Sequence, residues 1–240
     1  MGDIRLEPRE GVTVVWIERA PVNAMSPQLL AEGLQVLAEL EANPPDAIVL
    51  AGLPGAFSAG LDLKSFPTLD AAGADAFREA IEHTFRGWYG FPRPVVAAVG
   101  GHAIAGGLIL ALCADWRVVG TVGKFGLTEV RAGVPYPGTA RAIVEAELAP
   151  PDARRLMLRA ELIDAAEACR VGLFDEHVAD DEVVDRAVVV ARELATLPAP
   201  AYAATKASMR APVLGAPIEA PAEWMSDATP GAAASLLKKA

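Results

Sequence analysis

Residues 100–115 read Gly100-Gly101-His102-Ala103-Ile104-Ala105-Gly106-Gly107-Leu108-Ile109-Leu110-Ala111-Leu112-Cys113-Ala114-Asp115, and this stretch, continued to Glu129, decides how the chain is read. The apolar run between His102 and Asp115 is shorter than the roughly 20 apolar residues a bilayer crossing needs, so it reads as a helix buried in a globular core. Its N-terminus falls at Gly106-Gly107. A helix begins with N–H groups that lack partners within the helix and with partial positive charge, and glycine lets a ligand come close to that backbone. Such an end suits a carbonyl oxygen that is acquiring negative charge. Taken alone, the glycine pair speaks first for tight helix packing.

A second motif, Phe57-Ser58-Ala59-Gly60-Leu61-Asp62-Leu63, follows the strand-like Ala47–Ala51, and a third, Phe125-Gly126-Leu127-Thr128-Glu129, follows the helix. In this order and spacing the three stretches resemble the crotonase superfamily, the enoyl-CoA hydratase/isomerase family, from about Val12 to Ala211. The resemblance implies an α/β fold, a crotonase-like spiral of β-β-α turns, with a C-terminal helical region that mediates trimerisation. It also implies a CoA thioester substrate whose carbonyl is held by two backbone N–H groups, carried over here to Ala59 and Gly106, and a catalytic glutamate at Glu129. Ser58, Gly60, Leu61, Asp62, Lys64, Gly107, Ile109 and Tyr136 are the expected substrate-binding positions around them. Ile109 stands where family hydratases keep a second glutamate. That departure resembles the single-glutamate Δ3,Δ2-enoyl-CoA isomerase branch. Relatives that place a further acidic residue after the glutamate lose support, because the stretch here is Pro135-Tyr136-Pro137.

Composition sets the outer bounds. The chain has 240 residues, 52% hydrophobic and 22% charged, which argues for a globular protein with a substantial core. It carries 21 basic and 31 acidic residues, a formal charge of −10, and so repels phosphate backbones; nucleic-acid binding is not expected, and a polyphosphate ligand would need a local cation. Cys113 and Cys169 have no metal-site spacing, and no metal is expected. Two unpaired cysteines, with no apolar signal segment at Met1-Gly2-Asp3-Ile4-Arg5 and no span of membrane length, point to a cytoplasmic protein. No cofactor is expected beyond coenzyme A as part of the substrate.

The chain is expected to divide into a core domain over residues 1–195 and a C-terminal helical region over residues 196–240. Val12–Ile17 is rich in β-branched and aromatic residues and reads as a strand. Ser26-Pro27 gives an N-cap and a proline in first helical position for a helix to about Ala42, with Leu29, Leu30, Leu34, Leu37 and Leu40 at amphipathic spacing. Ala47–Ala51 and Val95–Val99 are continuous apolar runs between turn signals, as in strands buried on both faces. Between them lies a helix from about Asp70 to Tyr89. Trp116–Gly120 and Lys124–Leu127 read as strands, the second presenting Glu129. Helices are expected at Gly138–Leu148, Pro151–Arg159 and Ala165–Val171, then a brief strand at Phe174–Val178. Further helices are expected at Asp181–Leu197 and Ala199–Met209, with a proline-interrupted link over Ala211–Pro230 and a short helix ending at Lys238-Lys239.

The chemistry follows from the groups. A carbon beside a thioester carbonyl is a weak acid, so removing its proton needs a base and a place for enolate charge. Glu129 would have to sit in an apolar pocket to hold a proton near neutral pH. Phe66, Phe77, Ile81 and Phe85 are candidates for an acyl tunnel. Lys64 and the pair Lys238-Lys239 are candidates for CoA phosphates, His102 reads as a packing or capping residue, and Asp62 and Asp115 read as architectural carboxylates. Three functions stay open: the single-carboxylate isomerase, an enoyl-CoA hydratase using Glu129 and bound water, and a noncatalytic acyl-CoA binder. A homotrimer or dimer of trimers is the expected assembly.

Overall fold

A computed structural model describes residues 2–65 and 68–217. A six-stranded sheet takes β1 (Ile4–Arg9), β2 (Val12–Ile17), β3 (Ala47–Ala51), β5 (Val95–Val99), β7 (Trp116–Val119) and β9 (Glu176–His177) in that order. β1 pairs antiparallel with β2, and every later neighbour is parallel. β3 and β5 are buried along their whole length because helices cover both faces. On one face Val14, Val49, Val96 and Val118 pack against α7 (Val183–Ala195) through Ala187, Val190 and Ala191. On the other, Val15, Leu50, Ala97 and Val99 join residues of α1 (Pro27–Ala42), α2 (Ala71–Gly90) and α3 (Gly106–Leu112) in the larger core.

A second sheet positions the site. It has three parallel strands in the order β4 (Gly55–Ser58), β6 (Gly101–Ile104), β8 (Phe125–Gly126). The chain therefore alternates between sheets, β3 then β4 before α2, β5 then β6 before α3, β7 then β8 before the 3-10 turn Glu129–Ala132. Parallel strands place their C-terminal ends side by side, which is where open parallel sheets bind ligands. The three loops leaving β4, β6 and β8 carry Ala59–Leu61, Ala105–Gly107 and Thr128–Glu129.

Local signals act as their chemistry dictates. The Ser26 hydroxyl accepts from Leu29 N at 3.1 Å with Pro27 in the first turn of α1, and Asp70 Oδ1 accepts from Gly73 N at 2.8 Å to start α2. The remaining helices are α4 (Gly138–Glu147), α5 (Pro150–Arg159), α6 (Ala165–Arg170) and α8 (Ala199–Leu214). Among the described residues no helix is long and apolar enough to cross a membrane.

Several elements differ from the sequence reading. β1 was not anticipated, because its charged residues and Pro8 mask the alternation; an edge strand tolerates both. The expected loop over Gly100–Gly107 contains β6, four residues whose main chain is bonded on both sides by β4 and β8. α8 does not stop at Met209 but runs through Pro212 to Leu214, its last turns tied down by buried Arg210 and Val213. The brief strand at Phe174–Val178 is shorter than expected, Glu176–His177. Phe66, Lys238-Lys239 and the terminal helix lie outside the described residues.

Candidate active site

Close backbone approach brings the first two loops together. Gly60 has φ +80°, and a Cβ there would stand 2.8 Å from the Ile104 carbonyl oxygen and 3.0 Å from Gly106 N. A Cβ on Gly107 would lie 2.2 Å from the Ser58 carbonyl oxygen, inside contact distance with a rigid main chain. Both positions therefore require glycine, and Gly107 serves the packing of α3 against the β4 loop. Ala105, just before α3, takes φ 52° and ψ −129°, a region that suits glycine. Such strain costs about 1–3 kcal/mol and persists where surrounding structure enforces it. Ala105→Gly is expected to raise the free energy of unfolding by about 1 kcal/mol in urea titration, the relief of strain outweighing glycine's extra chain entropy; equal or lower stability would mean that Ala105 is unstrained.

A strap formed by Val22–Met25 fixes the β4 loop. Asn23 is fully buried with φ 51°, and its Nδ2 donates to the carbonyls of Ala56 and Phe57 at 3.1 Å each. The Ser58 hydroxyl donates to Asn23 O at 2.8 Å and accepts from Gly60 N at 3.2 Å, while Met25 N donates to Gly60 O. Ala59 N donates to Val22 O at 2.9 Å. This last bond corrects the sequence expectation, since an amide spent on the fold cannot also hold a ligand oxygen. Two residues on, Leu61 N donates to no protein acceptor among the described residues, and neither does Gly106 N at the first position of α3. The free amide of the β4 loop is thus Leu61, displaced because the strap claims Ala59.

The loops converge on a partly open, apolar cavity whose interior offers about 40 Å³ to the centre of a water molecule. Ala59, Leu61, Gly106, Ile109 and Glu129 line it together. So do Ile81 and Phe85 of α2, whereas Phe77 is buried in the core without reaching it. Ser58, Gly60, Asp62, Lys64, Gly107 and Tyr136 are not part of its wall. Ser58 and Gly60 shape the loop, Asp62 pairs with Arg19 at 3.3 Å and accepts from Lys64 N at 3.2 Å, and the Lys64 side chain is exposed. His102 Nδ1 accepts from Lys124 N at 2.9 Å, the capping role read from sequence.

Glu129 opens the 3-10 turn, held by two stitches. Ala105 N donates to Gly126 O at 2.8 Å, and Phe125 exchanges main-chain bonds with Ile163 at 3.0 and 2.9 Å. Its side chain is 6% exposed, and Oε2 is buried without a hydrogen-bond partner. Burial pushes the carboxyl up to about 7, opposed more weakly by its own main-chain N–H and the neighbouring Tyr136 hydroxyl, which favour the charged form. The Tyr136 hydroxyl stands beside the acid but donates its one hydrogen to Leu127 O at 3.1 Å. Ile109, 1% exposed, lines the same cavity with no group that can take a proton. Thr128 and Asn23 went unnoticed in the sequence; the one signal for Asn23 is that asparagine tolerates a left-handed backbone in an irregular link.

Open main-chain amides and one desolvated carboxylate around an apolar cavity can together stabilise an oxyanion and move a proton. A family profile described as enoyl-CoA hydratase/isomerase matches residues 7–223. A probable enoyl-CoA hydratase of Mycobacterium tuberculosis is 37% identical over 200 residues, covering 83% of this chain and 77% of that protein. A crotonyl-CoA hydratase of Syntrophomonas wolfei is 32% identical over 187 residues, covering 76% and 71%. The crystal structure of human mitochondrial Δ3-Δ2-enoyl-CoA isomerase superposes with a TM-score of 0.84 at 29% identity, covering 89% of this chain and 85% of that one. The chain belongs to the enoyl-CoA hydratase/isomerase family, within the crotonase superfamily.

Proposed function

We propose that the protein moves a double bond within an enoyl-CoA thioester, as a single-carboxylate Δ3,Δ2-enoyl-CoA isomerase does. The observation that carries this is Glu129, a buried carboxyl held at about 7 in a cavity where Ile109 supplies no second carboxylate. Glu129 as carboxylate takes a proton from C2 of a 3-enoyl-CoA. Charge passes to the thioester oxygen, held by Leu61 N–H and Gly106 N–H, and Glu129 returns the proton at C4. The result is the conjugated 2-enoyl-CoA, with no change in oxidation state and no cofactor besides the CoA of the substrate.

The apolar cavity takes the acyl chain, and exposed Lys64 is the candidate cation for a CoA phosphate in this reading. The names of the relatives support an enoyl-CoA substrate. Assembly as a homotrimer or dimer of trimers and a cytoplasmic location belong to the same reading. Incubation with a 3-enoyl-CoA is expected to produce thioester conjugation absorbance. Tight calorimetric binding of acyl-CoA with no turnover would show a noncatalytic binder instead.

A further inference from the structure

A second apolar cavity lies behind the first. It too offers about 40 Å³ to the centre of a water molecule, and it runs outward to Ile4 and Gly33. Neighbouring residues of three segments divide between the two: Ala59, Phe85 and Ile109 line the first, Ser58, Thr84 and Leu110 the second. The cavities therefore stand back to back. Met25, 3% exposed, lines only the second. Its Sδ nevertheless stands 3.6 Å from where a Cβ on Gly106 would be, and Phe85 Cζ stands 3.6 Å from the same point. Gly106 and Phe85 both line the first cavity, so the thioether flanks the wall that the two cavities share.

The second cavity does not call for water. Its polar side chains are spent on main chain: Asn23 Nδ2 on Ala56 O and Phe57 O, the Ser58 hydroxyl on Asn23 O at 2.8 Å, and the Thr84 hydroxyl on Ala80 O at 2.7 Å. An apolar void of this kind stays dry, takes up apolar groups, and is a standing cost to a close-packed core. Met25 N donates to Gly60 O and Asp62 N to Met25 O, so the main chain of the strap is held and the movable part is the side chain, unbranched with three rotatable bonds.

We infer that Met25 is the partition that sets acyl-chain length: with its thioether in place the chain ends in the first cavity, and a longer apolar chain enters the second by turning it aside. The inference rests on the first cavity being the acyl site of the proposed isomerase. Beyond Met25 the wall suits methylenes, and a polar tail would find no partner there.

The test measures kcat/KM for a long-chain and a short-chain 3-enoyl-CoA, and calorimetric Kd for saturated acyl-CoAs of the same two lengths. Met25→Ala joins the cavities and is expected to raise the long-to-short preference about tenfold in both measurements, the worth of roughly two more buried methylenes. Met25→Leu, which refills the partition with a branched side chain, should leave the preference at or below that of the parent. A Cβ on Gly33 meets only Ile4 Cδ1 within 4 Å, at 3.7 Å, so Gly33→Leu has room to fill the outer end of the second cavity. Added to Met25→Ala it should abolish the gain and keep short-chain turnover. An unchanged preference in Met25→Ala, or an equal change for both lengths, overturns the role of Met25. Should Met25→Ala not fold, Gly33→Leu alone carries the test: it should lower the long-chain preference of the parent, and no effect would overturn the use of the second cavity. Binding that follows this pattern without turnover supports the partition and overturns the isomerase reading; turnover with no such pattern does the reverse; a parent that binds no acyl-CoA overturns both.

Discussion

Glu129→Gln is expected to cut turnover of 3-enoyl-CoA by about 10²–10⁴, the usual contribution of a positioned proton carrier, with substrate binding largely kept. Steady-state kinetics check it, and a variant that keeps full kcat would remove Glu129 from the mechanism. The same substitution has a second consequence at equilibrium. The folded-state carboxyl lies at about 7 against an ordinary 4.5 because burial disfavours its charge. Below about 4.5 folded and unfolded chains both hold the proton, so the group contributes nothing. As pH rises toward 7 the unfolded chain releases its proton and the folded chain keeps it, so stability falls, and above 7 the full cost of about 3 kcal/mol stands. Glutamine carries no charge at any pH. The variant should therefore be more stable than the parent at pH 8, by up to about 3 kcal/mol, and equal to it at pH 4. Loss of activity with a gain in stability at pH 8 separates a catalytic group from a structural one. The parent's kcat/KM should rise with pH through a limb near 7, since the carboxylate is the active form.

Asp115→Ala is expected to destabilise the fold by about 3–5 kcal/mol in urea titration, because it leaves two buried cations without their anion. Asp115 Oδ2 lies 2.7 Å from Lys206 Nζ and Oδ1 lies 2.9 Å from Arg210 Nη2, and Oδ2 also accepts from Val95 N at 2.8 Å. All three side chains are at most 11% exposed. Burial already pulls Lys206 down to about 8, and Asp115 is the charge that opposes this fall. Arg210 additionally donates to the carbonyls of Tyr89, Cys113 and Ala114, closing the end of α3. Without Asp115, α8 should loosen first, so faster amide exchange there than in β3 or β5 is the accompanying sign. A loss under 1 kcal/mol would mean that the cluster is not holding α8.

Much of this was legible in the chain. The helix starts at Ser26-Pro27 and Asp70, the buried strands Ala47–Ala51 and Val95–Val99, and the apolar helix after Gly106 each carry their cause within a few residues, as caps, periodicity or unbroken apolar runs. Asp115 was read as an architectural carboxylate that bonds the backbone or pairs with arginine; it accepts from Val95 N and pairs with Arg210, and also with Lys206. The edge strand β1 and the short strand β6 were not legible, since four to six residues of mixed character acquire their state from partners remote in sequence.

What the sequence by itself determined is the order of chemistry-bearing loops, the family they belong to, and the absence of a second carboxylate at Ile109, because these are written in residue identity and spacing. Only the tertiary structure decided which amides stay open. The Val22–Met25 strap takes the N–H of Ala59 and leaves that of Leu61, a choice made by a hydrogen bond between segments some 37 residues apart (59 minus 22). It likewise decided that Glu129 is desolvated. Burial and hydrogen-bond satisfaction are properties of everything that packs around a residue, and no local stretch of sequence contains them.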